Sequence, residues 1–200
     1  FLKVNKKSII LVLKFDITDY NAMKKNIIKL YRKNFHIDLL VNCAGTASGS
    51  LIEMTKIEEL KRVFEVNFFA QINLTQYLLR LLKKSNNASI INIGSLLGLI
   101  SERGTIAYGS SKSSLMFSTK VMASEFSDYN IRVNAIAPGL VRTKMLEKMD
   151  KKVVKKMIEN KIIRKIYKPS DVANKVYFLS TTKSKNINGK ILMMDGGKFF

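Results

Sequence analysis

Short runs dominated by Ile, Leu, Val and Met alternate along the chain with longer stretches in which apolar residues recur three and four positions apart. The short runs cover residues 9–15, 39–41, 90–93, 133–137 and 191–194. An extended segment that is apolar on both sides needs cover on both faces, as does a strand inside a parallel sheet. The longer stretches cover residues 22–34, 57–84, 107–127 and 151–161, with Lys and Glu opposite the apolar stripe. That spacing turns one helix face to a core and the other to water. Strand and helix in alternation predict an α/β fold, a doubly wound parallel sheet with helices on both faces.

In such a sheet, ligands sit outside the carboxyl ends of the strands. The polar and glycine-bearing segments follow the apolar runs at those ends: Asp16, Asn42 to Gly45, Gly94 with Ser95, and Pro138 with Gly139. Four strand ends are therefore expected to line one crevice.

Composition narrows the class. With 46% apolar and 25% charged residues, the chain can bury a core and is not a disordered basic tail. Proline occurs only at 138 and 169, and no repeat divides the chain, so a single domain over residues 1–200 is expected. No apolar run reaches the length of a membrane-spanning helix, so no membrane partner is expected. Cys43 is the single cysteine and cannot form an internal disulfide, which points to a reducing compartment, mitochondrial matrix or cytoplasm. Its expected role is small core packing. The lone His36 is read as a loop residue without a partner, and no ligand cluster suggests a metal.

The net charge is +20, from 35 Lys and Arg against 15 Asp and Glu. That suits contacts to phosphate, and a nucleic-acid-binding protein is the competing class. The lysines are scattered over helix faces, however, and no recognition motif accompanies them, so no nucleic acid is expected.

Tyr108 and Lys112 lie one helical turn apart and share a face. An ammonium near a phenol favours the phenolate, making tyrosine a usable proton donor or acceptor near neutral pH. Tyr20 with Lys24 matches the same spacing. Only Tyr108 has a serine, Ser95, ending a strand thirteen residues before it; the corresponding residue before Tyr20 is Lys7. Two hydroxyls at Ser95 and Tyr108 can hold a carbonyl oxygen and stabilise the charge that hydride attack creates there.

The segments Asn42-Cys43-Ala44-Gly45, Asn67 in VFEVN, Ser95 in INIGS, Tyr108-Gly109-Ser110-Ser111-Lys112, IRVNAIAPG at 131–139 and Asp195-Gly196-Gly197 together resemble the short-chain dehydrogenase/reductase family in order and spacing. Within that family the chain is most similar to 3-oxoacyl-acyl-carrier-protein reductases and the related carbonyl reductases. The resemblance implies that Tyr108 donates the proton, Lys112 tunes it and bonds the nicotinamide ribose, Ser95 orients the carbonyl, and Asn67 holds a water that relays protons. It also implies that Asp16 and Ile17 border the adenine, and that Asn42, Ala44 and Gly45 pass close to the cofactor. Pro138, Gly139, Val141 and Thr143 would flank the nicotinamide. NADP(H) is expected in preference to NAD(H). The implied substrate is a small or acyl-carrier-bound carbonyl, a 3-oxoacyl thioester above all, with an acidic acyl carrier protein steered by Lys83, Lys84 and Lys165. The implied assembly is a homotetramer joined through 57–84 and 107–127.

Two departures stand out. The family begins with a strand, a glycine-rich turn, a helix and a second strand, whereas the first glycine here is Gly45 and no Gly-x-Gly occurs. The sheet is thus expected to lack its first two strands and that turn, leaving 9–15 facing an exposed edge. The chain by itself is expected to be insoluble or inactive, and active with roughly 45 to 60 residues added upstream. The other departure is the expected substrate lid at 144–169, where Ile162 stands at the family's proline, Arg164 and Tyr167 at its two glycines, and Lys165 at its arginine. Its basic stretch 151–161 is read as a lid helix in preference to a membrane contact.

Overall fold

The computed structural model describes residues 11–32, 35–147, 151–159 and 166–197. Among them, four strands form one parallel sheet in chain order: β1 (Leu39–Asn42), β2 (Ser89–Ile93), β3 (Arg132–Pro138) and β4 (Ile191–Met194). Every residue of β3 is buried, as its unbroken apolar pattern requires of a central strand.

Helices cover both faces. On one lie α1 (Tyr20–Arg32), α3 (Ala70–Leu82) and α4 (Ile106–Glu125), whose Met23, Ile27, Leu81, Leu82 and Met122 meet Leu40, Ile90 and Val133. On the other, α7 (Pro169–Ser180) sets Leu179, Val172 and Val176 against Ile91 and Ile136. Ile90 and Ile91, adjacent in β2, serve opposite cores because strand side chains alternate. Burying each such side chain contributes roughly 1.5–3 kcal/mol, so both layers hold the strand ends in place.

Three elements differ from expectation. The predicted strand 9–15 does not form over 11–15, and residues 9 and 10 lie outside the described residues. An extended segment becomes a strand only when a neighbour supplies the ladder, and no described residue pairs with it; Val12 is 78% exposed, while Phe15 and Ile17 pack on the core instead. The helix predicted over 57–84 is interrupted: α2 (Ile57–Phe64) passes through a π-turn at Glu65–Phe69 before α3. Finally, α7 was not foreseen, although Pro169 at its first turn and an apolar spacing of 172, 176 and 179 are helix signals.

The expected lid carries α5 (Lys144–Glu147) and α6 (Lys151–Glu159). Its base is closed by backbone pairing, with Arg142 N donating to Tyr167 O and Tyr167 N to Leu140 O, both at 2.9 Å. Ile162, Arg164 and Lys165 lie outside the described residues. No helix among the described residues is long and apolar enough to cross a membrane.

Candidate active site

β2 ends at Ile93, and Gly94 leads into Ser95, whose extended backbone turns the chain toward α4. The Ser95 hydroxyl accepts from Leu97 N at 3.2 Å and its side chain hydrogen-bonds the Tyr108 phenol. Close approach of the 95–98 turn to α4 depends on Gly109, where a Cβ would stand 2.6 Å from the Leu97 carbonyl oxygen. Bare backbone at that point lets Ser95 and Tyr108 meet.

Lys112 lies one turn beyond Tyr108 and is 3% exposed. Its ammonium donates to the Ile93 carbonyl at 2.8 Å. Burial lowers its pKa to about 8, against a smaller opposing effect of Cys43. Burial raises the Tyr108 pKa, and the Ser95 hydrogen bond lowers it by less. The expectation that Lys112 depresses Tyr108 is therefore not met: desolvation of a buried phenol is the larger effect here. The phenol stays protonated through neutral pH.

Asn67 sits in the π-turn with no exposure. Its Oδ1 accepts from Thr46 N at 2.8 Å, and its Nδ2 donates to Thr46 O at 2.9 Å and to Ser111 Oγ at 3.0 Å. An extra residue in a helical turn disrupts the regular ladder, and these bonds to the loop after β1 hold it so. Gln71, one turn further, donates to Ala44 O at 2.6 Å. A Cβ on Gly45 would lie 3.4 Å from both Asn67 Oδ1 and Lys112 Nζ. Gly45, Asn67, Lys112, Tyr108 and Ser95 thus share one crevice.

The other expected residues stand elsewhere. Asn42 is 2% exposed and turned inward, donating to Thr75 Oγ1 at 3.1 Å and Asn92 Oδ1 at 2.8 Å, so it braces β1 against β2 and α3. Cys43, expected in the core, is exposed, because alternation along the strand end turns it away as Asn42 turns in. Asp16 accepts from Thr18 N at 2.8 Å and Thr18 Oγ1 at 2.7 Å ahead of α1, which lowers its carboxyl pKa, and Ile17 packs on the core. Pro138 ends β3, and Gly139 N donates to Met194 O at 2.9 Å. Val141 bridges to Tyr167, and Thr143 opens α5 by accepting from Leu146 N at 3.0 Å. Gly196 and Gly197 form a turn in which both have positive φ. His36, expected to be unpartnered, lies 3.4 Å from Asp38 on the surface.

Sequence reading missed Thr46, Gln71 and the linking role of Ser111. A signal existed for the last two: Gln71 follows Asn67 by four residues and Ser111 follows Tyr108 by three, spacings that share a helix face.

A family model described as Enoyl-(Acyl carrier protein) reductase matches residues 3–198. A 3-oxoacyl-[acyl-carrier-protein] reductase of Thermotoga maritima is 34% identical over 182 residues, covering 91% of this chain and 74% of that protein. Among solved structures, the Pseudomonas aeruginosa RhlG/NADP active-site complex is 28% identical with a TM-score of 0.84, covering 91% of this chain and 74% of that one. A 4-hydroxyisoleucine dehydrogenase complexed with NADH is 29% identical with a TM-score of 0.85, covering 92% and 76%. With the parallel sheet and the ordered motifs along its crevice, this chain belongs to the short-chain dehydrogenase/reductase family.

Proposed function

We propose that the protein reduces a carbonyl to an alcohol with a nicotinamide cofactor, most specifically a 3-oxoacyl thioester to its 3-hydroxyacyl product. The observation that carries this reading is the Ser95–Tyr108 hydrogen bond beside the end of β2, where Lys112, one helical turn on, donates to the Ile93 carbonyl. The similarity to the Thermotoga maritima reductase supports the thioester substrate and an acidic acyl carrier as its bearer.

The residues fit the nicotinamide end of the cofactor. Gly45 leaves bare backbone beside Asn67 and Lys112, where an added Cβ would come into ordinary contact with both, and an ammonium has three donors, of which Lys112 gives one to Ile93 O. Ala44 and Gly45 would form the near wall, braced from behind by the inward-turned Asn42, with Pro138, Gly139, Val141 and Thr143 opposite and Asp16 and Ile17 toward the adenine. The likeness to a structure holding NADP supports NADP(H), and a comparable one holds NADH. When bound, the reduced cofactor supplies a hydride to the carbonyl carbon.

The chain's own residues manage the oxygen and the proton. Ser95 and Tyr108 hydrogen-bond the carbonyl oxygen, and Tyr108 gives it a proton as negative charge develops. A phenol whose pKa is raised by burial holds that proton until the oxygen becomes basic enough to take it. Lys112, with a pKa of about 8, then returns a proton toward the phenolate and stabilises it. Asn67 orders the water side of this relay. In this reading α5 and α6 would belong to the lid of a single domain, working in an intracellular reducing compartment. A second copy covers the α4 face around Phe68, Phe117 and Val121, where Phe117 is 68% exposed.

The test uses NADPH and an acetoacetyl thioester on the purified chain, both as it stands and with a glycine-rich strand–turn–helix–strand unit joined ahead of Phe1. Turnover in either form, reduced at least a hundredfold by Tyr108→Phe with the fold retained, supports the reading. Full activity of Tyr108→Phe, or no turnover in either form, overturns it.

A further inference from the structure

We infer that Ser111 is a positioning residue that clamps the Asn67 π-turn to the turn of α4 carrying Tyr108 and Lys112; this rests on the reaction proposed above. Ser111 has no exposure and lies between the two, three residues after Tyr108 and one before Lys112. Its hydroxyl accepts from Asn67 Nδ2 at 3.0 Å and donates to the Tyr108 carbonyl at 2.8 Å.

The hydrogen-bond inventory of Asn67 gives this bond its force. A carboxamide has two N–H donors and one acceptor oxygen. Thr46 N takes the oxygen, Thr46 O takes one N–H, and Ser111 takes the other. Asn67 is thereby fixed on both sides, to the loop after β1 and to α4. Without the Ser111 oxygen, one N–H of a fully buried amide loses its acceptor, and the Tyr108 peptide loses the hydroxyl that braces it. Lys112 Nζ ties the same helix turn to β2 through Ile93 O. Adjacent residues of α4 therefore register it against two different elements, and the phenol stands where those two registrations meet.

Ser111 is fully buried and both its hydrogen bonds are made within the protein, so its effect should fall on the rate of the chemical step and not on binding. The experiment compares Ser111→Ala, Asn67→Ala and the double variant in the form of the protein that turns over. The expected result is a kcat about tenfold lower for Ser111→Ala, with KM for NADPH and for the acetoacetyl thioester within about twofold, and no further loss when it is added to Asn67→Ala. An unchanged kcat, a loss carried by KM, or the same loss repeated in the Asn67→Ala background overturns the inference. Denaturant unfolding of these three variants and the unsubstituted protein tests the clamp without turnover: the two substitutions should be non-additive, and additive effects overturn it. Normal turnover by Tyr108→Phe, measured in parallel, would defeat the proposed reaction while leaving the clamp to be judged by unfolding.

Discussion

Lys112 is the residue whose environment most changes its chemistry. Its pKa falls from an ordinary 10.5 to about 8 because burial disfavours the ammonium. At pH below 8 the folded and unfolded chains both carry the proton, and the fold bears the cost of burying it. Between about 8 and 10.5 the unfolded chain keeps a proton that the folded one has lost, so stability rises with pH across that window. The rise attributable to this group is about 3 kcal/mol. Lys112→Met, which has no charge to bury, should lack it; denaturant unfolding at pH 7.5 and 10.5 would show a smaller gain for the variant, and equal gains would refute the assignment. This environment was only partly legible in the sequence. The Tyr-x-x-x-Lys spacing occurs twice, and the serine thirteen residues upstream separated the two: Tyr108 meets Ser95, whereas Tyr20 donates to Glu65, with its pKa pushed up to about 12. What spacing did not carry was the depth of burial, and so the direction in which Tyr108 shifts.

Among elements, β1 to β4 were legible because strands covered on both faces have little room for polar side chains, and the run of apolar residues is itself the signal. Residues 11–15 carry the same signal without a ladder to join, so an apolar run marks what a segment can do and not what pairs with it. The π-turn left no mark in the periodicity, since a single wide turn shifts the helical phase by one residue inside a stretch rich in Phe and Leu. Asn67 was nonetheless singled out by its motif, and the turn explains how it reaches Thr46. The start of α4 depends on an approach that periodicity does not encode either. Replacing Gly109 by Ala offers about 1 kcal/mol of helix propensity. It also drives a Cβ to 2.6 Å from a backbone oxygen, and such overpacking costs about 1–3 kcal/mol, the more so as a carbonyl cannot swing aside like a side chain. The clash should win: Gly109→Ala is expected to unfold at lower denaturant and to lose activity, and a stabilised variant would show that the 95–98 turn yields.

At the scale of the whole molecule, 28 of the 35 basic residues are lysines scattered along the chain, so charge describes the composition without defining a site. The informative surface is apolar. α4 buries Ser111, Leu115 and Met122 on one side, yet sets Phe117 and Val121 outward at 68% and 41% exposure, beside Phe68. Large rings clustered on one helix face are unfavourable in water and are ordinarily covered. Serines 113, 114 and 118 lie among them, and small side chains allow a second helix to come close. A partner helix of the same composition would fill that groove with its own Phe117 and leave both sets of serines at the contact. The copies would then meet through the helix that carries Tyr108 and Lys112, so that assembly stiffens the element on which proton transfer depends. Sedimentation velocity at micromolar concentration should accordingly find a dimer or tetramer, and Phe117→Asp, which sets a charge in the centre of the contact, should move it toward the monomer with lower kcat. A monomeric unsubstituted protein, or an assembly indifferent to the aspartate, would remove this face from the interface.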